Sequence, residues 1–274
     1  MSGFLDEMAG ASAARVRTAM AQESLAALEK RARAAPQAGP LRLSPAGFDV
    51  IAELKLRSPA AGRLGSQSDD WLARVKAYAQ GGAAAVSVLT EPSRFDGSLE
   101  HLRRACAALA EFDVPAMRKD FLVDPYQVLE ARAAGAGGVL VIVRMLSRAQ
   151  MMDLLDASAE HRLFVLLEAF DGADLAAARD LLAARSTARA DNILVGVNSR
   201  DLQTLEVVPE RFEALAQELP RDRPAVAESG VACVADAQRM MRLGYRLALI
   251  GTALMSRDDP AQLLREILAT TRTA

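Results

Sequence analysis

Eight short apolar runs recur along the chain after residue 45, and each ends in polar residues. Most are apolar at successive positions, which is typical of parallel strands buried on both faces. Ala-, Leu- and Arg-rich stretches with helical spacing separate nearly all of them. Glycines at 81–82, 135 and 244 stand where these helices should stop. The predicted strands are Asp49–Lys55, Ala84–Thr90, Val114–Lys119, Gly138–Val143, Leu163–Glu168, Ile193–Asn198, Pro224–Ser229 and Leu247–Thr252.

Eight strands alternating with helices predict an α/β fold, a (β/α)8 TIM barrel. A doubly wound open sheet is the main competitor, but the strand count and the missing G-x-G-x-x-G motif favour the barrel. Residues 1–45 are alanine-rich, with Val16, Met20 and Leu28 at helical spacing, before prolines and glycines break the pattern. We therefore expect an N-terminal helical extension over 1–45, packed on a catalytic barrel over 46–274.

Composition and net charge argue against two classes of partner, nucleic acids and membranes. Hydrophobic residues make up 51% of the chain and charged residues 25%, with a net charge of −2. That charge argues against a nucleic-acid partner, since phosphates need a basic surplus. No apolar run has the length of a membrane span, so we expect no membrane partner. The two cysteines, Cys106 and Cys233, lie far apart without metal-ligand spacing, which predicts a reduced, cytoplasmic protein without a bound metal.

The polar residues at the strand ends carry the candidate chemistry. In a TIM barrel, the ends of all strands meet at one face, where active sites lie. Buried charge is costly unless it is paired or used, so this set predicts an active site. Its members are Glu53, Lys55, Thr90, Glu91, Lys119, Arg144, Glu168, Asn198, Glu228, Ser229, Gly251 and Thr252.

Lys119 is the most informative of these residues because it ends the third run inside "PAMRKDFLV". A lysine held there can act as a general acid or as an electrostatic clamp for an anion. We expect desolvation and nearby positive charge to lower its pKa. Its neighbours Arg118 and Asp120 should alternate away from the barrel mouth and form structural ion pairs.

The loops after the seventh and eighth strands predict a phosphate site. They contain "ESG" at 228–230 and "IGT" at 250–252. Gly230 and Gly251 permit close approach of the backbone, and these two loops often bind phosphate in barrels. The two loops together therefore predict an anionic, phosphorylated substrate.

With these residues in hand, the chain resembles the indole-3-glycerol phosphate synthase family of tryptophan biosynthesis. The resemblance covers nearly the whole chain, including the N-terminal extension. It rests on "VIAELKLRSP" (50–59), "VSVLTEPSRFDGSLEHL" (86–102), "MRKDFLVDPYQVLEARAAGA" (117–136), "LLEAFD" (166–171), "VGVNSRDLQTLEV" (195–207), "VAESGV" (226–231) and "LIGTALM" (249–255).

The resemblance implies conversion of 1-(2-carboxyphenylamino)-1-deoxyribulose 5-phosphate to indole-3-glycerol phosphate, with loss of CO₂ and water. It implies no metal and no organic cofactor. Lys119 matches the general acid of ring closure, and Glu168 matches the general base of the later dehydration. Lys55 matches a lysine that holds the substrate carboxylate and can share proton transfer, and it is also expected to bind the phosphate. Glu53 matches a glutamate near the anilino nitrogen.

Further positions match residues that bind or orient the substrate. Asn198 and Arg200 match polar orienting residues, and Ser229, Gly230, Gly251 and Thr252 match the phosphate loops. Phe121, Leu122 and Leu202 are expected to form the apolar wall for the anthranilate ring. Glu228 is expected to bind substrate or, equally, to hold the lysines without touching substrate.

Some positions depart from the family pattern. Ala60 and Ala61 replace the second serine after "SP", which leaves Ser58 as the hydroxyl expected to bind substrate there. Phe170 ends "EAF" where Glu-Val-His is more usual, and Ser199 stands where an asparagine is usual. The loop over residues 57–67 is predicted to move because it contains Gly62 and Gly65.

Other functions compete with this interpretation. A phosphoribosylanthranilate isomerase would need a cysteine at the end of its first strand, where Glu53 and Lys55 stand instead. A non-catalytic phosphate-binding barrel would not need both Lys119 and Glu168. Glu53 and Lys55, two apart on one strand, could simply pair with each other or with Glu228. We expect a small phosphorylated, anthranilate-derived substrate and a monomer or weak homodimer.

Overall fold

The eight apolar runs form parallel strands that close into one barrel. A computed structural model describes residues 3–45, 47–58, 62–63, 70–185, 192–201 and 204–272. Within these residues, the barrel strands β1 to β8 are Asp49–Leu54, Ala85–Leu89, Ala116–Lys119, Gly138–Ile142, Phe164–Ala169, Ile193–Asn198, Ala225–Glu228 and Leu247–Ile250. Consecutive strands pair in parallel, and β1 pairs with β8 to close the circle. The predicted (β/α)8 barrel is confirmed.

Helices surround the strands and connect them. Those after β1 are Trp71–Gln80, Pro92–Phe95, Leu99–Leu109, Pro125–Ala133, Arg148–Glu160, Gly172–Ala183, Glu210–Leu215, Val234–Arg242, Thr252–Met255 and Pro260–Arg272. Short 3-10 turns lie at Ala110–Phe112, Val143–Met145 and Ala216–Glu218, and a small antiparallel pair joins Arg57–Ser58 to Gly62–Arg63. None of the described helices is long and apolar enough to cross a membrane.

Three of the helices end at a glycine in the left-handed region, as the sequence predicts. Gly82, Gly135 and Gly244 have φ values of 91°, 90° and 96°. In each case the next residue donates its N–H to the carbonyl five positions back, as in Ala83 to Tyr78. This bond pattern closes the last turn and reverses the chain toward the following strand.

The N-terminal extension forms two helices, α1 (Phe4–Gln22) and α2 (Leu25–Ala34). α2 packs against the helix Pro125–Ala133 through a cluster that includes Leu28 and Tyr126. The Tyr126 hydroxyl shares its one proton between the Glu23 carbonyl at 2.9 Å and the Ala19 carbonyl at 3.2 Å, which ties the end of α1 to the barrel. The predicted helical extension is thus present, and its division from a catalytic domain at residue 45 stays a prediction.

Apart from the cluster that α2 forms with the helix Pro125–Ala133, the buried apolar side chains of the described residues fill two regions separated by the sheet. One lies between the strands and the outer helices, and the other lies inside the barrel. The inner region is capped at one end by Leu41 and Leu43, which follow the extension helices and pack against it. Its other end opens into the site described below.

Gly138 in β4 should be intolerant of any side chain. A Cβ there would lie 2.4 Å from the ring of Phe164, the fully buried residue beside it on β5. We expect Gly138→Ala to lower the free energy of unfolding by about 1–3 kcal/mol through overpacking. Urea unfolding measures this, with Gly10→Ala as the control, since a Cβ at that exposed position of α1 meets nothing within 4 Å. Equal unfolding midpoints for the two variants would contradict the prediction.

Candidate active site

Four charged side chains from alternate strands lie at one height inside the barrel. Strand pairing sets Glu53 level with Ser87, and Ser87 level with Met117. Because barrel strands are tilted, the side chain at equal height on every second strand lies two residues further along. The same two-residue step relates β3 to β5, β5 to β7 and β7 to β1, and the last step leads back to Glu53. The resulting charged layer is Glu53, Lys119, Glu168 and Glu228.

Lys119 is held by two carboxylates of this layer. Its Nζ donates to Glu168 Oε2 at 3.0 Å and to Glu228 Oε2 at 3.1 Å. Both glutamates are buried, and the lysine itself is nearly so. Two charge-assisted hydrogen bonds of this kind fix the ammonium group in position.

The pKa of Lys119 is raised, so the expected lowering is wrong. Burial is the largest single influence and acts to lower the pKa. The negative charges of Glu168, Glu228 and Glu53 together outweigh burial. The sequence-based expectation counted nearby cations, whereas the register surrounds this lysine with carboxylates. The ammonium group therefore stays protonated at neutral pH.

For Glu228, burial outweighs the attraction of Lys119 in setting the pKa. Burial raises the pKa of its carboxyl group well above the ordinary value, and repulsion from Glu168 adds to this, against the attraction of Lys119. Its Oε1 has no hydrogen-bond partner among the described residues. It lies over Gly196, where a Cβ would come within 2.1 Å of that oxygen. Glu228 thus fits the structural alternative considered from the sequence, a layer residue that binds the lysine.

Replacing Glu228 with glutamine should change how stability depends on pH. A carboxyl whose folded-state pKa is raised stabilises the fold fully below its unfolded pKa of about 4.3, and that contribution is lost as pH rises through the folded pKa. Glutamine removes this titration. We expect the difference in free energy of unfolding to move in favour of Glu228→Gln as pH rises from about 4 to about 9. Urea unfolding at several pH values measures it, and parallel profiles would refute the assignment.

Lys55 stands one residue past β1 and pairs with Glu53, with 3.2 Å between Nζ and Oε1. This is the pairing considered as an alternative for these two residues. A Cβ on Gly251 would lie 2.5 Å from the same Glu53 oxygen. The absence of a side chain at Gly251, just after β8, therefore leaves room for Glu53 and Lys55 at the rim of the layer.

Asn198 has its amide orientation fixed by neighbouring loops. Its Oδ1 accepts from the Arg200 backbone N–H at 2.9 Å and from the Ser229 hydroxyl at 3.0 Å. Because a backbone N–H can only donate, the oxygen must face it and the NH₂ group is left to turn elsewhere. The Arg200 guanidinium donates to the Leu205 carbonyl at 2.6 Å, so it braces its own loop. The Ser199 hydroxyl donates to the Ser229 carbonyl and joins the two loops.

The backbone after β7 makes a tight turn at the predicted phosphate loop. Ser229 and Gly230 have φ values of 66° and 87°, both left-handed. Gly251 and Thr252 lie beside this turn and lead into the short helix Thr252–Met255. The predicted loop residues are brought together at one edge of the mouth.

A cavity of about 400 Å³ opens above the charged layer. Its lining includes these residues predicted from the sequence: Glu53, Lys55, Lys119, Glu168, Asn198, Arg200, Glu228, Ser229, Gly230, Gly251 and Thr252. Phe121 lines it too, whereas Leu122 is fully buried between strands and outer helices, so the expected role of Leu122 in the wall is wrong. The Ser58 side chain and Leu202 lie outside the described residues, as does most of the 57–67 loop.

Several apolar lining residues were not singled out from the sequence. The aromatic part contains Phe4 and Phe95, whose ring centroids lie 5.8 Å and 6.3 Å from that of Phe121. The aliphatic part is Leu89, Leu140, Ile142, Leu205, Val207, Val231 and Leu249. Alternation along the strands could have found Leu89, Leu140, Ile142 and Leu249, whereas Phe4 depends on how α1 docks.

Arg118 and Asp120 form the structural ion pair expected of them, at 3.2 Å. Arg118 also pairs with Glu130 at 2.9 Å. After the neighbouring strand β4, Arg144 pairs with Asp174 at 2.7 Å, and its guanidinium lies over the ring of Phe170. These pairs hold the ends of two adjacent strands.

Comparisons with known proteins bear on the fold and the family. The family model described as indole-3-glycerol phosphate synthase matches residues 5–267. A protein of that name from Nocardioides sp. is 44% identical, over 81% of this chain and 80% of its own length. Another from Azospirillum brasilense is 38% identical, over 98% and 100%. The barrel of 3-hexulose-6-phosphate synthase from Salmonella typhimurium superposes with a TM-score of 0.60 at 13% identity, over 80% of this chain and 96% of that one. That likeness concerns the fold alone.

The family match therefore spans the extension helices, every strand of the charged layer and both predicted phosphate loops. The relatives cover the same region at identities well above those at which only a fold is shared. The chain belongs to the indole-3-glycerol phosphate synthase family.

Proposed function

We propose that the protein forms indole-3-glycerol phosphate from 1-(2-carboxyphenylamino)-1-deoxyribulose 5-phosphate. This is the reaction of the family in tryptophan biosynthesis, and it releases CO₂ and water. The residues assigned to catalysis are three members of the charged layer, Glu53, Lys119 and Glu168, together with Lys55 and Asn198. The observation that carries the residue assignment is the lysine at the floor of an apolar cavity, held between two buried carboxylates.

Ring closure needs a proton donor. The ring carbon that bears the carboxyl group attacks the substrate ketone, which destroys aromaticity, and the carbonyl oxygen must take a proton as the C–C bond forms. Lys119 holds a proton at neutral pH because its neighbours keep it charged, and we assign it as the donor. CO₂ then leaves, and the electron pair of the broken bond restores the aromatic ring.

Dehydration needs a proton acceptor. The hydroxyl formed in the first step leaves as water, while a proton is removed to create the indole double bond. Glu168 lies 3.0 Å from Lys119 Nζ, so the two groups act on the same region of the substrate. The proton that Glu168 accepts is the one that the departing hydroxyl needs to leave as water, so its transfer to that hydroxyl returns Glu168 to its starting state. Lys119 then regains its proton from solvent, because the overall reaction consumes one proton when the substrate carboxylate leaves as neutral CO₂.

The remaining polar residues would bind and orient the anionic substrate. Lys55 at the rim would bind the carboxylate and the phosphate of the substrate, and Glu53 would lie near the anilino nitrogen. The Asn198 amide and Arg200 would orient the chain of the sugar. Backbone N–H groups around Ser229, Gly230, Gly251 and Thr252 would bind the phosphate. Ser58 and Leu202 stay predicted substrate contacts.

The apolar half of the cavity suits the anthranilate ring. The rings of Phe4, Phe95 and Phe121 meet at one wall, and aromatic contacts favour such edge and tilted arrangements. Holding the ring carbon close to the ketone contributes as much as the acid does, because it converts a loose encounter into a positioned one. We further infer that the protein is cytoplasmic, acts as a monomer or weak homodimer, and needs no metal or organic cofactor.

The isomerase alternative finds no matching residues in the described structure. Cys106 lies on the outer helix Leu99–Leu109, and burial raises the pKa of its thiol to about 12. Cys233 caps the start of the exposed helix Val234–Arg242. Neither thiol stands at the end of β1, where the isomerase chemistry would need it.

The direct test is turnover of the substrate by the wild-type protein. Indole fluorescence should appear together with one CO₂ per molecule of substrate consumed. Phosphoribosylanthranilate, the isomer from which this substrate derives, should be left unchanged. Isomerisation of that compound, or binding without turnover, would overturn the proposed function.

A further inference from the structure

Arg15 of α1 reaches across to the ends of two barrel strands. Its Nη2 donates to Asp120 Oδ1 at 2.6 Å, and its Nη1 donates to Glu91 Oε1 at 3.4 Å. Asp120 immediately follows Lys119 at the end of β3, and Glu91 follows the end of β2. Both acids are nearly inaccessible to solvent. A residue outside the barrel therefore supplies charge to two buried carboxylates at the barrel mouth.

The Asp120 carboxylate fixes the backbone that carries Lys119. Its Oδ1 also accepts the Phe121 N–H at 2.8 Å. Its Oδ2 accepts from the Thr90 hydroxyl at 2.8 Å and from Arg118 at 3.2 Å. Breaking one partner of a buried carboxylate is destabilising. Without Arg15, Asp120 would keep Arg118 as a charged partner on Oδ2, but the charged donor that fixes Oδ1 beside the Phe121 N–H would be lost.

The same helix face holds the next part of the loop. The Gln127 side chain donates to the Ser12 hydroxyl at 2.8 Å and accepts the Val123 N–H, also at 2.8 Å. The segment that follows Lys119 is thus attached to α1 at both ends. Its central residue Phe121 lines the cavity, where it meets Phe4 from the start of α1.

We propose that Arg15 is a positioning residue for Lys119. It holds Asp120 so that the strand end directs Nζ between Glu168 and Glu228. The inference rests on the proposed role of Lys119 as the proton donor. Displacement of a catalytic group by about 1 Å can cost up to about 10²-fold in rate. Loss of the bond between Arg15 and Asp120 would therefore slow the reaction by displacing Lys119.

The helix has other attachments that do not involve Arg15. Met8 packs against the inner core, and Val16 lies in the cluster with Tyr126. Glu7 pairs with Arg94, and the Tyr126 hydroxyl donates to the Glu23 carbonyl at 2.9 Å. Loss of the Arg15 bonds should therefore leave α1 docked and affect mainly the chemical step.

The test compares Arg15→Met and Arg15→Lys with Arg17→Met, a matched control exposed on the same helix. Single-turnover CO₂ release and KM are measured for each variant beside wild type and Lys119→Met. We expect Arg15→Met to slow CO₂ release roughly tenfold, with KM changed by less than about threefold. Arg15→Lys should recover part of the rate by restoring the charge, and Arg17→Met should match wild type.

Three results would overturn the inference, and they are distinguishable. Wild-type CO₂ release in Arg15→Met, with a lowered melting temperature, would make Arg15 an anchor of the helix only. A raised KM at unchanged rate would make α1 a substrate-binding element instead. Wild-type activity in Lys119→Met would remove the proposed function of Lys119 and the Arg15 inference with it.

Discussion

Replacement of Lys119 by methionine should lower the single-turnover rate of CO₂ release by roughly 10²–10⁴-fold, the usual contribution of a positioned acid. Methionine keeps a flexible apolar side chain of similar length, so the cavity floor is retained while the proton is lost. Glu168 and Glu228 would then face each other without the ammonium group between them. Attack on the ketone would have to proceed without a proton donor at that position.

The raised pKa of Lys119 adds a pH dependence to this prediction. Since its neighbours favour the ammonium form, the proton remains available across neutral pH. The same shift is a stability contribution that is fully present below the unfolded pKa of about 10.4 and is lost as pH rises through the higher folded pKa. Wild-type CO₂ release should therefore show no loss from Lys119 deprotonation between about pH 7 and pH 9.

Lys76→Met is the matched control for Lys119→Met. Lys76 lies on the outer helix Trp71–Gln80 and pairs with Glu111 far from the cavity. Its replacement should leave CO₂ release unchanged. A rate for Lys119→Met within tenfold of wild type would show that another group, with Lys55 the nearest candidate, donates the proton.

The strand order and the residues at each strand end could be predicted from the sequence because parallel barrel strands are apolar on both faces. That pattern identified Glu53, Lys119, Glu168 and Glu228 as members of one mouth. It did not reveal that they share one height, because height depends on the tilt and shear of the closed barrel. The error in the Lys119 pKa followed directly from that missing information.

The pattern of the sequence could not predict what α1 contributes to the candidate active site. Helical spacing predicted a helix, but the angle at which it docks decides that Phe4 enters the cavity and Arg15 reaches Asp120. Docking angles arise from side-chain packing between elements far apart in sequence. Leu122 illustrates the opposite case, since strict alternation after Lys119 already places Phe121 toward the cavity and Leu122 away from it.

Replacement of Glu168 by glutamine should separate the two halves of the reaction. Glutamine keeps a carbonyl oxygen that can accept from Lys119 Nζ, so the acid stays in place, but the amide cannot take up a proton. We expect CO₂ release within about tenfold of wild type and dehydration slowed by roughly 10²–10⁴-fold. A decarboxylated intermediate should then accumulate within one turnover.

Rapid-quench measurement of CO₂, beside the slower rise of indole fluorescence, resolves these two steps. Glu160→Gln, at the exposed end of the helix Arg148–Glu160, serves as the control and should show both steps at wild-type rates. Equal slowing of both steps in Glu168→Gln would indicate that the carboxylate acts before decarboxylation, by holding the Lys119 ammonium group. In that case its negative charge, rather than its basicity, would be what the reaction requires.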